Sequence, residues 1–204
     1  MNSAEQEIEV KFYLRDLAGL ERRLVAAGGQ LTRARQHETN LRFDLPDHSL
    51  AAGQRVLRLR QDDRAVVTYK GPAQAGAEVA VRQEIEFTVN DYQAARHFFE
   101  ALGYQVVVMY EKYRTTYRLP GLEVVLDELP FGHFCEIEGG SGEAIRAAAE
   151  QFGLVWEARI RESYLALFER LKARRGLSAR HLSFADLQGL EVSADDLGVK
   201  YGQP

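Results

Sequence analysis

The chain is poor in several residue types that would otherwise set its chemistry. A single cysteine, Cys135, excludes an internal disulfide and any multi-cysteine metal site. The five histidines, His37, His48, His97, His133 and His181, are scattered without ligand spacing, which argues against zinc. Apolar runs such as Val106-Val107-Val108-Met109 fall far short of the roughly 18 residues of a membrane span, so no membrane partner is expected. Residues Met1 to Glu7 have neither the basic region nor the apolar stretch of a secretory signal, so a cytoplasmic location is expected. Charge of one sign is also missing. The 26 Lys+Arg stand against 30 Asp+Glu, which argues against a wholly basic, nucleic-acid-binding surface.

What is present is a chain of 204 residues, 46% apolar and 27% charged, long enough for one globular domain with a real core and a modest appendage. Its dominant pattern has period two. Glu7 to Leu14 alternates charged and apolar residues, as a half-buried strand does, and a weaker version runs from Leu31 to Asp44. Further strands are expected at Val56–Gln61, Ala65–Lys70, Val79–Val89, Tyr104–Leu119, Leu122–Leu129 and Phe134–Glu138, with turns at Pro46-Asp47, Pro120-Gly121 and Pro130-Phe131-Gly132.

Helical spacing interrupts this series. Asp16 can cap a helix carrying Leu17, Leu20, Leu24 and Val25 and stopped by Gly28-Gly29; Asn90 or Asp91 can open another with Ala94, Ala95, Phe98, Phe99 and Leu102 on its apolar face. Two more are expected over Glu143–Phe152 and Ile160–Ala173. Residues 176–204 read as a polar tail with one short helix near Phe184–Gln188, appended to a domain of residues 1–175. The expected class is α+β, an eight-stranded antiparallel β-barrel with flanking helices, because closure removes the exposed edges of so large a sheet.

The charges in these strands share a face. Glu7, Glu9 and Lys11 oppose Ile8, Val10 and Phe12; Arg58 and Arg60 oppose Leu57 and Leu59; Thr68 and Lys70 oppose Val67 and Tyr69. Arg82, Glu84 and Glu86, then Lys112, Arg114 and Arg118, then Glu123 and Asp127, then Glu136 and Glu138 continue the series. An alternating strand ordinarily keeps such a face in water. Here the pattern recurs on strand after strand and the charges are sorted, basic on some and acidic on others. If helices cover the apolar faces from outside, the charges line a polar interior. That interior must hold water, metal ions or a highly charged ligand. Convergent Arg and Lys suit a polyphosphate, and carboxylates without His or Cys suit Mg²⁺ or Mn²⁺.

Glu7-Ile8-Glu9-Val10-Lys11, followed in order by Leu57-Arg58-Leu59-Arg60, Thr68-Tyr69-Lys70-Gly71-Pro72, Arg82-Gln83-Glu84-Ile85-Glu86, Tyr110-Glu111-Lys112-Tyr113-Arg114, Val125-Leu126-Asp127-Glu128-Leu129-Pro130 and Glu136-Ile137-Glu138-Gly139, resembles the CYTH superfamily of triphosphate tunnel metalloenzymes. Ser163-Tyr164 is similar to that family's closing segment. The resemblance implies a tunnel that grips phosphates with Lys11, Arg58, Arg60, Lys70, Lys112 and Arg114, with Arg82 as a further contact. It implies metal ligation by Glu7, Glu9, Asp127, Glu136 and Glu138, with Glu84 and Glu86 as further candidates. Glu136, Glu138 and Lys11 are then the catalytic set.

The implied activity is metal-dependent hydrolysis of a small triphosphate: inorganic, nucleoside or thiamine triphosphate. The alternatives are a class IV adenylate cyclase, forming cyclic AMP and pyrophosphate, and a non-catalytic polyphosphate or nucleotide sensor. The His-x-x-Gly-like opening of some cyclases is missing before the first strand. A homodimer is compatible with the resemblance.

Overall fold

The computed structural model describes residues 5–203; residues 1–4, read above as part of a segment without a secretory signal, and Pro204 lie outside the described residues. Period-two segments become strands β1 (Glu5–Leu14), β2 (Gln30–Asp44), β3 (Val56–Gln61), β4 (Ala65–Lys70), β5 (Ala80–Val89), β6 (Gln105–Leu119), β7 (Leu122–Leu129) and β8 (Gly132–Gly139). They close as an antiparallel barrel in the order β1-β5-β4-β3-β2-β6-β7-β8. Gly121, at φ 73°, supplies the left-handed position of the Pro120-Gly121 hairpin between β6 and β7.

Outward-facing apolar residues meet helices. Helix α1 (Leu17–Ala26) starts where the Asp16 carboxylate accepts from the Gly19 amide at 2.7 Å, and α4 (Gly142–Gln151) starts at Ser141 in the same manner. Leu20 and Leu24 of α1 and Ile145 and Ala149 of α4 pack with Val10, Phe12, Val124 and Ile137 of the barrel wall. Helix α3 (Tyr92–Ala101) packs on another sector through Phe99, against Leu41, Phe43, Leu59 and Val67. A one-turn helix, α2 (Ser49–Ala52), follows the Pro46-Asp47 turn; the Asp44 carboxylate organises it by accepting from the amides of Leu45, Leu50 and Ala51.

The covering is less complete than the pattern predicts. Phe98 and Leu102, expected on the apolar face of α3, are 60% and 57% exposed, because the helix touches the curved wall mainly along the Phe99 line. On β5 the outward-facing Ile85 and Phe87 are also exposed, since no helix of the described residues lies over them.

At one end the inner face itself turns apolar. Tyr13 follows Lys11, Phe134 precedes Glu136 and Leu129 follows Asp127, each at the same parity as the charges, and all three pack with Leu167, Phe168 and Leu171 of α5 (Tyr164–Arg175). This helix was expected from Ile160. It starts later because Ser163 caps it, while Ile160 pairs with the Lys11 backbone, in both directions, beside β1.

The helix expected at Phe184–Gln188 is a series of turns instead; the segment's helix is α6 (Ala194–Leu197), closed by a Ser193–Asp196 capping box. Residues beyond α5 are bound closely to the barrel. Leu182 exchanges backbone hydrogen bonds with Met109 and Glu111, and Gly202 donates to the Tyr13 carbonyl at 2.7 Å. Leu182, Leu187 and Leu197 are buried in the cluster around α5. The Lys172–Arg175 cluster, more often a solvated helix end, also ties this segment down, through an Arg175–Asp196 pair at 3.0 Å and an Arg174 bond to the Asp195 carbonyl.

Candidate active site in the tunnel

The strand register puts the charged residues on the inner wall, where they form a chain of alternating sign. Starting on β2, Glu38 lies 3.7 Å from Lys112, and Lys112 lies 3.0 Å from Asp127. Arg114 bridges Asp127 and Glu136, at 2.5 Å to each, and Lys11 bridges Glu136 at 3.1 Å and Glu9 at 2.5 Å. Arg82 then joins Glu9 at 3.4 Å to Glu7 at 2.9 Å, and Lys70 joins Glu7 to Glu84. Arg58 and Arg60 reach Glu86 at 3.4 and 3.5 Å, and Arg60 also reaches Asp62.

These groups are buried. Lys11 is 4% exposed, Lys112 2% and Asp127 0%, and Glu7, Glu9, Glu38, Arg60, Lys70 and Glu136 are also buried. Isolated ions at such positions would each cost several kcal/mol, so their mutual pairing is what makes the interior tolerable.

The sequence-predicted residues are therefore brought together, but in different roles. Asp127 is saturated by cations and a phenol: Arg114 donates twice, Lys112 once, and the Tyr164 hydroxyl at 2.9 Å from the start of α5. Burial opposes the charge of Glu136, yet Lys11, Arg114 and Lys112 hold it well below the usual carboxylate range. Against the same cost of burial, Lys70 and Arg82 hold Glu7 at about 2.

Two carboxylates behave oppositely. Desolvation, larger than the opposing pull of Lys70 and reinforced by the Glu7 charge, pushes Glu84 up to about 7. Partial burial and the charges of Glu7, Glu9, Glu123 and Glu84 push Glu138 up to about 7. Glu138 stands directly opposite Glu9 on one side and Glu123 on the other, and has no cationic partner among the described residues. A divalent cation would relieve that crowding, and the donors are all hard carboxylate oxygens, the kind Mg²⁺ and Mn²⁺ take. Among the described residues no three of His, Cys, Asp and Glu converge in ligating geometry as they stand. Glu86, at the exposed end of β5, is engaged by Arg58, Arg60 and the Thr68 hydroxyl.

Some inner-wall positions are not singled out by the sequence. Glu38, Asn40 and Arg42 of β2 share the inner face, as does Tyr110 of β6, opposite Asn40. The signal was present in the alternation of Glu38, Asn40 and Arg42 with Thr39, Leu41 and Phe43, but bulges in the first half of β2 break the period. Burial opposes the charge of Glu38 as well, and Lys112, Arg114 and Arg60 hold it at about 2. Arg159 and Arg161, which precede α5, bind the Glu78 and Ala77 carbonyls. Cys135 and His133 form no dyad: the thiol is buried in the wall, with burial pushing its pKa far up, and His133 is exposed.

Comparison with known proteins agrees with this architecture. A protein from Methanocaldococcus jannaschii named "Putative adenylate cyclase MJ0240" is 28% identical over 134 residues, 65% of this chain and 75% of that one. Among solved structures, a putative adenylate cyclase from Vibrio parahaemolyticus superposes with a TM-score of 0.74 at 21% identity, covering 82% of this chain and 99% of the other. The Hippeastrum protein HpAC1, described as a putative adenylyl cyclase with a dominant triphosphatase activity, gives 0.61 at 21% identity, covering 80% and 95%. No described helix is long and apolar enough to cross a membrane. The CYTH domain family model matches residues 5–164, and with the closed, charge-lined barrel over the same span the chain belongs to the CYTH domain family.

Proposed function

We propose that the protein is a divalent-metal-dependent triphosphatase acting on a small triphosphate bound inside the barrel. The observation that carries this reading is the crowding of Glu138 against Glu9 and Glu123, on the far side of the ring of strands from Arg42 and Arg58, whose buried Nε atoms lack acceptors. Glu138 lacks a cation and Arg42 lacks an anion. A metal–triphosphate complex supplies both.

Arg58, Arg60, Lys70, Arg82 and Lys112 hold phosphoryl oxygens, and Lys11 and Arg114 are placed to turn from their carboxylates toward the developing negative charge. Glu7, Glu9 and Glu138 would hold Mg²⁺ or Mn²⁺, with Glu84 adjoining. The bound ion would supply charge neutralisation and orientation of the phosphate oxygens. Glu136, held ionised by Lys11 and Arg114, is too weak a base to take a proton from water and acts by keeping those cations in place. Tyr164 orients Asp127, which positions Lys112 and Arg114.

The name of the Methanocaldococcus relative supports cyclisation of ATP as the second reading. Hydrolysis is preferred because, among the described residues, the charged stretch of the tunnel wall offers no apolar slot for adenine. Purified protein incubated with tripolyphosphate and with ATP, in Mg²⁺ and in Mn²⁺, should release orthophosphate. Cyclic AMP plus pyrophosphate as the main products from ATP would replace the proposal with the cyclase, and tight binding without turnover would replace it with a sensor.

A further inference from the structure

The inner stripe of β2 contains a cation that the ion-pair chain leaves out. Arg42 stands directly opposite Arg58 in the β2–β3 register, on the same face. Like charges so placed repel. Arg58 has compensation from the Thr68 hydroxyl at 2.9 Å, the Tyr110 hydroxyl and Glu86. Arg42 makes no hydrogen bond or ion pair with any described residue, and its Nε is buried without an acceptor. The carboxylate nearest along its own strand, Asp44, is occupied by three backbone amides.

Two residues back, Asn40 is 0% exposed and neither its Nδ2 nor its Oδ1 has a partner. Burial first, with Tyr110 pulling the other way and Arg58 and Arg82 repelling, leaves the Arg42 guanidinium below its usual range. By contrast Lys11, Lys70, Arg82, Lys112 and Arg114 each hold a carboxylate, so an incoming anion must displace an internal partner to engage any of them. Engaging Arg42 displaces none.

We infer that Arg42, with the Asn40 amide beside it, is an anion subsite of the tunnel where a phosphoryl group of the substrate lands. The inference rests on the triphosphatase reading for the identity of the anion. A planar guanidinium offers two parallel N–H donors to a phosphoryl group, Asn40 Nδ2 adds a third, and Arg58 shares the same oxygens. One bound phosphoryl group thus converts a repelling arginine pair into a bridged one and accepts from the otherwise unsatisfied Nδ2 of the buried Asn40 amide.

The test uses Arg42→Gln and Arg42→Lys in the full chain, with tripolyphosphate as the probe. Arg42→Gln should leave the ligand-free melting temperature unchanged or raise it, since a repelled cation is removed. It should abolish the rise in melting temperature that tripolyphosphate gives the wild type in chelator. With Mg²⁺, KM for tripolyphosphate should rise about tenfold to a hundredfold, the scale of losing charge-assisted hydrogen bonds, with kcat changed far less. Arg42→Lys should fall between, and it decides the matter if the glutamine variant does not fold.

KM and thermal response like wild type in the folded variants would overturn the inference while leaving the triphosphatase reading intact. A wild type that is stabilised by tripolyphosphate through Arg42 but hydrolyses nothing would retire that reading and keep the subsite. A wild type that neither binds nor hydrolyses it would end both.

Discussion

Glu138→Gln should make the metal-free protein more stable and the enzyme inactive. The carboxylate sits between Glu9 and Glu123 on neighbouring strands, close also to Glu7 and Glu84, and no cation among the described residues offsets it. Its rise from 4.5 to about 7 sets an upper limit of about 3 kcal/mol for the cost of ionising it in the fold, at about 1.4 kcal/mol per pH unit. The side chain is exposed in part, so solvent screening reduces that to about 1 kcal/mol. In a chain of 204 residues, about 1 kcal/mol is worth roughly 2–4 °C in Tm.

The sign follows from the direction of the shift. A raised carboxylate binds its proton more tightly folded than unfolded, so its contribution is intact below pH 4.5 and is lost as pH climbs through 7. Thermal melts in chelator should therefore show Glu138→Gln above the wild type by a few degrees at pH 8, with the gap closing by pH 5. Adding Mg²⁺ at pH 8 should raise the wild type and not the variant, and phosphate release from tripolyphosphate should fall by at least about a hundredfold in the variant. A variant that melts below the wild type at pH 8 would show that Glu138 is a structural carboxylate, and the charge-crowding argument would fail.

Glu136→Gln should behave oppositely, because it strips a buried partner from Lys11 and Arg114; urea unfolding should show a loss of about 3–5 kcal/mol together with loss of turnover. Tyr164→Phe removes the phenolic donor to Asp127 without changing the packing of α5, so stability should drop by about 1–2 kcal/mol in the same assay, with the far-UV spectrum unchanged. Phe99→Ala should cost about 3–4 kcal/mol, whereas Phe98→Ala on the next position of α3 should stay within about 0.5 kcal/mol, a contrast that checks which face of the helix meets the barrel. Chelation should stop orthophosphate release, and Mg²⁺ or Mn²⁺ should restore it.

The strands were legible because each carries its own signal: a two-residue period holds within Val56–Gln61 or Leu122–Leu129 whatever lies across from it. The barrel followed from the repetition of that signal, since so many charged faces have only water or one another to point at. Register was not legible. That Glu138 would face Glu9 and Glu123, and Arg42 would face Arg58, depends on how neighbouring strands slide past each other, and turn lengths alone leave that open. The sorting of acidic and basic strands suggested separate metal and phosphate walls, and register turned most of it into alternating pairs. What remains after pairing is the informative residue: a crowded glutamate and an unpartnered arginine.

The packing of the segment after α5 is illegible in the sequence for a different reason. Its buried leucines, Leu182, Leu187 and Leu197, are too widely spaced to give a helical or strand period, so composition alone made it a polar tail. Its place is set by backbone hydrogen bonds to strand edges the barrel leaves open: Met109 and Glu111 of β6, and Tyr13 of β1. Open edges of this kind arise because each long strand outruns its neighbour. β1 pairs with β5 only through Glu9, while it continues with β8 as far as Leu14. A ring of short and long strands can close around charged side chains only if its overhangs find other donors and acceptors, since unpaired backbone groups beside a buried ion pair compete for the same scarce solvation. Ile160, Leu182 and Gly202 thus serve the tunnel as surely as its lysines do, by completing the wall behind Lys11 and Tyr110 against which the charged inner face is held.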